Sequence, residues 1–140
     1  MYILTTKSEF DSAHFLKDYE GKCSNMHGHR WTVEVEVRSE SVQSSGPYRG
    51  MVVDFALLKG KLKEETDRLD HKLIVEEGSL SQGLKAALLE EGFQMVEFPW
   101  RPTAENFSKY FFDYMKDGGY PIYKVSVYET PNNVAAYMED

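Results

Sequence analysis

A single cysteine leaves no route to an intrachain disulfide, so packing and hydrogen bonds must hold this fold, as suits a reducing compartment. No stretch approaches the ~18 consecutive apolar residues of a membrane span. The opening Met1-Tyr2-Ile3-Leu4-Thr5-Thr6-Lys7 has no basic segment followed by a long apolar one, so no secretory signal is read there. These absences predict a cytoplasmic protein with no membrane partner. Basic charge is also short. The net charge of −7 argues against nucleic acid as a general partner, though Lys17, Lys22, Arg30, Arg49 or Lys72 could build a local anion pocket. There is no internal repeat and no low-complexity segment. What remains is a chain of 140 residues, 41% hydrophobic and 28% charged, which predicts a single soluble domain over 1–140.

The densest chemistry lies in Cys23-Ser24-Asn25-Met26-His27-Gly28-His29, which holds the only cysteine and two of the four histidines. Alternate residues of an extended segment share a face, so His27 and His29 can converge on one ion. Gly28 places no side chain in the way. A third histidine, His14, ends the strand-like run Phe10-Asp11-Ser12-Ala13. Three neutral imidazoles with an open fourth position describe a catalytic zinc site better than a structural one. Cys23 lies close by in sequence, where it could act as a thiolate rather than a ligand.

Residues 2–14 read as a strand. In 29–39, His29, Trp31, Val33, Val35 and Val37 alternate with Arg30, Thr32, Glu34, Glu36 and Arg38, the pattern of a half-buried antiparallel strand. Residues 39–50 are turn material. A helix starts near Asp54, with Phe55, Leu58, Leu62 and Leu69 on its apolar stripe and Asp70-His71 at its C-terminal end. Within 76–100 the pattern suggests a short helix over about 80–91, stopped by Gly92, and extended chain from Phe93 to Phe98. Pro102-Thr103 starts another helix, with Phe107, Tyr110, Phe111, Tyr114 and Met115 as its stripe and Gly118-Gly119 as its stop. Strands follow at 123–129 and 134–138, with Glu129 continuing the apolar face of Val125 and Val127. The order predicts an α+β fold: a four-stranded antiparallel sheet with two main helices on one face. Two open edges and a charged outer face would be covered by association into a barrel.

Taken together, Phe10-Asp11-Ser12-Ala13-His14, the Cys23–His29 run, Gly50-Met51-Val52-Val53-Asp54-Phe55, Leu69-Asp70-His71, Pro102-Thr103-Ala104-Glu105-Asn106 and Glu129-Thr130 resemble the 6-pyruvoyl- and 6-carboxy-tetrahydropterin synthase family, with its tunnelling fold (T-fold). The resemblance spans nearly the whole chain, with an insertion around 76–100. It implies subunits that pair sheets into a trimeric β-barrel, two trimers forming a homo-hexamer. The spacing of Cys23 and His27 is similar to that of the 6-carboxy branch, which serves queuosine and 7-deazapurine synthesis.

Each residue also has a plainer reading. A lone histidine such as His14 is usually packed or exposed, and only His27 and His29 make it a ligand candidate. Cysteines are often inert in cores, but Gly21-Lys22-Cys23-Ser24-Asn25 is too polar for one. Asp70-His71 could be a helix end favoured by the dipole, and Glu129 an exposed strand end. Thr103 and Glu105 suit a helix start. The resemblance implies more: zinc on His14, His27 and His29, Cys23 as base, and His71 oriented by Asp70 as the proton-relay partner from a neighbouring subunit. It makes Glu129 the anchor of the pterin ring, with Thr103 and Glu105 as secondary pocket residues. The implied reaction is a lyase step on 7,8-dihydroneopterin triphosphate. A 6-pyruvoyl product, or a non-catalytic zinc-binding assembly protein on the same scaffold, are the alternatives.

Overall fold

Alternation along two long strands organises the molecule. The computed structural model describes residues 1–140. In it, β1 (Tyr2–His14) and β2 (His27–Ser39) pair antiparallel along their whole length, from Tyr2 opposite Ser39 to His14 opposite His27. Residues directly opposite share a face. Phe10 with Trp31, Ser12 with His29, and His14 with His27 therefore lie on one side of the sheet. That side is the core: Phe10, Trp31, Val33, Val35 and Val37 are buried. β5 (Ile122–Thr130) joins β2 with Val127 opposite Val33, and β6 (Asn133–Met138) joins β5.

Two helices cover this face. Asp54 caps α1 (Phe55–Leu69) by accepting from the Leu57 N–H at 3.1 Å, and Leu58, Leu62 and Leu69 are buried. Thr103 caps α3 (Ala104–Asp117), which buries Phe107, Phe111, Phe112 and Met115. α1 lies along β1, and α3 along β5 and β6. Asp54 and Thr103 stand where polar caps are preferred because the first helical N–H groups have no intrahelical acceptor. Phe55, assigned above to the apolar stripe of α1, is 57% exposed. It occupies the first helical position, before the stripe turns towards the sheet.

The four-stranded antiparallel sheet is corrected to a six-stranded mixed one, in the order β4-β3-β1-β2-β5-β6. The additional strands are β3 (Leu73–Glu76) and β4 (Met95–Phe98), parallel to each other and joined through α2 (Gln82–Glu90). These segments form a β-α-β unit that lengthens the sheet; α2 and β4 fall where the short helix over about 80–91 and the extended chain from Phe93 to Phe98 are expected, and β3 is the element not anticipated. Gly92 stops α2 as the spacing predicts, with φ 87°. β3 escaped sequence reading because four residues are too few to show a period. No helix is long and apolar enough to cross a membrane.

Trp31 links the core to the polar end of the β1–β2 hairpin. It has no exposed surface, stacks on Phe10 at 6.0 Å and meets the His14 and His29 rings edge-on at 5.0 and 5.5 Å. Its indole N–H is buried without a partner. Trp31→Ala should destabilise the protein by about 3–5 kcal/mol. Trp31→Phe removes the orphaned donor, whose burial costs about 1–3 kcal/mol, and so should lose much less. Urea unfolding distinguishes the two, and equal losses in both variants would refute the role given to the buried indole.

Candidate metal centre

The polar end of the core face gathers four potential ligands. One donor atom from each of His14, His27, His29 and Glu129 lies within 4.8 Å of the others. β1 supplies His14, β2 supplies His27 and His29, and β5 supplies Glu129. The β5–β6 register slips between Tyr128 and Thr130, leaving Glu129 without a partner on β6. Such a bulge re-aims a side chain at the end of a ladder.

Backbone carbonyls select the imidazole tautomers. His14 Nδ1 is 2.7 Å from the Pro102 carbonyl oxygen, and His27 Nδ1 is 2.6 Å from that of Asn25. A carbonyl can only accept, so each Nδ1 carries the proton and each Nε2 presents its lone pair. Nε2 of His14, His27 and His29 is buried with no hydrogen-bond partner. Glu129 Oε1 lies 3.0 Å from His29 Nε2, but the direction does not make a hydrogen bond. Three orphaned nitrogens beside a carboxylate, on oriented rings, fit a bound divalent cation such as zinc. Burial holds the ring of His14 down at about 4, with the neighbouring histidines adding to the effect. Burial also lowers His29, opposed by Glu129.

Cys23 is half-buried in a 3₁₀ turn, Lys22–Ser24. The Cys23 carbonyl accepts from the Leu16 N–H at 2.8 Å, and the Arg101 guanidinium holds the carbonyl of Lys17, so the loop between β1 and β2 is tied at both sides. Asp70 ends α1. One of its carboxylate oxygens accepts from the Asp11 N–H and the other lies 2.8 Å from His71 Nδ1. His71 adopts a left-handed φ of 59°, and its N–H reaches the Asp11 carbonyl at 2.7 Å. The Asp11 backbone N–H, with His71 adding, holds the Asp70 carboxyl below its usual range. The His71 side chain is nonetheless 78% exposed.

His71 lines a cleft of about 670 Å³ with Asp11, Gly28, His29, Arg30 and Lys72; Cys23 is not among its lining residues. A second cleft of about 610 Å³ reaches Glu129 and shares Gly28, His29 and Arg30. Gly28, His29 and Arg30 therefore border both openings. Of the suggested anion-pocket cations, Arg30 and Lys72 face this region, but Arg30 is paired with Asp11 through contacts of 2.9 and 3.1 Å. The structure gives Thr103 its capping role and leaves Glu105 exposed in the first turn of α3; neither lines the two clefts. Pro102, rather than Thr103, touches the histidine cluster. Its role was not visible in the sequence, because a backbone carbonyl leaves no residue-type signal.

The lowered pKa of His14 has a thermodynamic consequence in the metal-free protein. With a folded value of about 4 against an ordinary value of 6.5, the unfolded chain binds the extra proton between those limits. The stabilisation is complete above about pH 6.5 and is lost as pH falls through about 4. In that window His14→Gln should reduce the slope of stability against pH by up to about 1.4 kcal/mol per pH unit. Identical slopes for wild type and variant in chelator-treated protein would refute the burial account.

The 6-pyruvoyl tetrahydropterin synthase family model matches residues 3–140. A 6-carboxy-5,6,7,8-tetrahydropterin synthase of Haemophilus influenzae is 32% identical over 142 residues, covering 99% of this chain and 100% of that one. One from Synechocystis sp. is 31% identical, covering 99% and 94%. The structure of Plasmodium falciparum 6-pyruvoyl tetrahydropterin synthase superposes with a TM-score of 0.73 at 21% identity, covering 99% of this chain and 97% of that one, and shows the same T-fold. With the fold, the full-length sequence match and the chain-long family match in agreement, this chain belongs to the 6-pyruvoyl tetrahydropterin synthase family of enzymes.

Proposed function

We propose that this chain is a zinc-dependent lyase that converts 7,8-dihydroneopterin triphosphate to 6-carboxy-5,6,7,8-tetrahydropterin. One water is consumed, triphosphate and acetaldehyde are released, and the product feeds queuosine and 7-deazapurine synthesis in the cytoplasm. The observation that carries the metal assignment is the convergence of three buried, unpartnered Nε2 atoms at the end of the core face. The 6-carboxy product is favoured by the full-length relatives that bear that name. The 6-pyruvoyl product remains the rival outcome of the assay.

His14, His27 and His29 would hold the ion, which when bound supplies Lewis-acid polarisation of substrate oxygens. Cys23 takes a proton from a side-chain carbon as the thiolate. His71 returns a proton, with Asp70 fixing its tautomer through Nδ1. Glu129 accepts the adjacent N–H donors of the pterin edge, which aligns the side chain with these groups. Thr103 and Glu105 are assigned secondary contacts to substrate, subordinate to their place at the start of α3.

Mass analysis of the product from 7,8-dihydroneopterin triphosphate tests the reaction. Wild type should release the 6-carboxy compound. Cys23→Ala should keep its metal and bind the pterin but lose at least about 100-fold in kcat. Near-normal turnover in Cys23→Ala would assign the base elsewhere.

The exposed His71, held by Asp70 in a cleft that Cys23 does not line, favours completion of the site by a second subunit. We therefore assign a homo-hexamer in which sheets pair into barrels and each relay spans two chains. Mixing inactive Cys23→Ala with inactive His71→Ala should restore activity after subunit exchange, because some hybrid interfaces hold an intact cysteine opposite an intact Asp70-His71 pair. Mixed oligomers, verified by mass, that stay inactive would place the whole relay within one chain.

A further inference from the structure

The metal and ring-binding reading above gives Glu129 one task, but its position suits two. We propose that Glu129 is an exchangeable fourth ligand, closing the three-histidine metal set in the resting protein and leaving it to take the N–H edge of the substrate ring. The inference rests on that reading and deepens it.

Three observations support the exchange. First, Glu129 Oε1 lies 3.0 Å from His29 Nε2 without a hydrogen bond between them. Ligand atoms at about 2.0–2.2 Å from a tetrahedral ion stand about 3.4 Å apart, so this separation is close to an edge of such a set. Second, three neutral imidazoles leave a divalent charge uncompensated in a half-buried site, and Glu129 is the one carboxylate within reach of all three. His29 is the only salt-bridge partner of Glu129, so no fixed cation competes for its charge. Third, Glu129 is not sealed in. Its side chain is 29% exposed, it lines the cleft of about 610 Å³, and it projects from a bulge rather than from a paired ladder position. A carboxylate so placed can turn from ion to cleft without breaking strand pairing.

The consequence is a coupling between ring recognition and the metal. Binding of a ring that offers adjacent N–H donors draws the carboxylate away and frees the position that a side-chain oxygen of the same substrate can take. A molecule lacking that edge finds the set closed.

The test uses full-length, metal-free protein titrated with Co²⁺, whose visible spectrum reports ligand number and type, with zinc affinity measured by chelator competition. Glu129→Ala and the near-isosteric Glu129→Gln should each bind metal at least about tenfold more weakly, with an altered Co²⁺ band. Isocytosine, which carries the pterin's N–H edge but no side chain, should move the wild-type spectrum towards that of Glu129→Ala and leave the variant unchanged. Unaltered affinity and spectrum in Glu129→Ala, with binding lost in His27→Ala, would overturn the fourth-ligand assignment alone. Weaker metal binding in the variant, with a wild-type spectrum indifferent to saturating isocytosine, would overturn the exchange. Failure of wild type to bind Co²⁺, or full binding by His27→Ala, would overturn the metal reading itself.

Discussion

The register of β1 against β2 is the constraint on which the rest depends. With His14 opposite His27, Ser12 falls opposite His29 and Phe10 opposite Trp31, so the three histidines and the core side chains share one face of the hairpin. A slip by one residue would carry every side chain of one strand to the other face. It would separate His14 from its partners and turn Trp31 towards solvent. Burial of the valine and aromatic side chains opposes that slip, so the hydrophobic core specifies the histidine cluster as well as the fold. The large apolar term thereby enforces a geometry that the polar groups could not hold alone.

The cluster is the place where this face stops being a core. Imidazole nitrogens buried without partners are costly, and a chain under selection for stability alone would fill the same volume with apolar groups. Here the cost is retained and organised. Pro102 and Asn25 carbonyls set the tautomers, Trp31 packs against two of the rings, and a bulge delivers Glu129. Backbone atoms from the start of α3 and from the β1–β2 loop thus reach the same rings, so the helix layer and the hairpin must dock correctly before the site exists. Preorganisation of this kind is what lets ligands act without rearrangement.

The Asp70-His71 pair is built on a different principle. It is clamped to the backbone of Asp11, at the edge where α1 hands the chain to β3, and the His71 ring faces outwards. Its left-handed backbone is held by hydrogen bonds to a strand rather than by burial. The pair is thus fixed at its base and open at its tip. The outer face of the sheet, where Lys7 pairs with Glu34 and Lys124 with Glu36, is likewise polar and internally compensated.

Local chemistry was legible in the residues themselves. The alternation of 29–39, the helix start near Asp54, the cap at Thr103, the stop at Gly92 and the His-x-His spacing each depend on neighbours within a few positions, so the sequence determined the hairpin strands, the two main helices and the ligand candidates. The resemblance drawn from the ordered motifs extended that reading to a family, which the chain-long matches support. Tertiary structure decided what depends on distant partners. β3 exists as a strand because β1 and β4 complete its hydrogen bonds, although its four residues are too few to show a period. The bulge at Glu129 arises from the pairing of β5 with β6, and the Pro102 carbonyl reaches His14 across 88 positions of chain. Pairing and carbonyl orientation are properties of the assembled backbone, common to every residue type, and so leave no mark in the order of side chains.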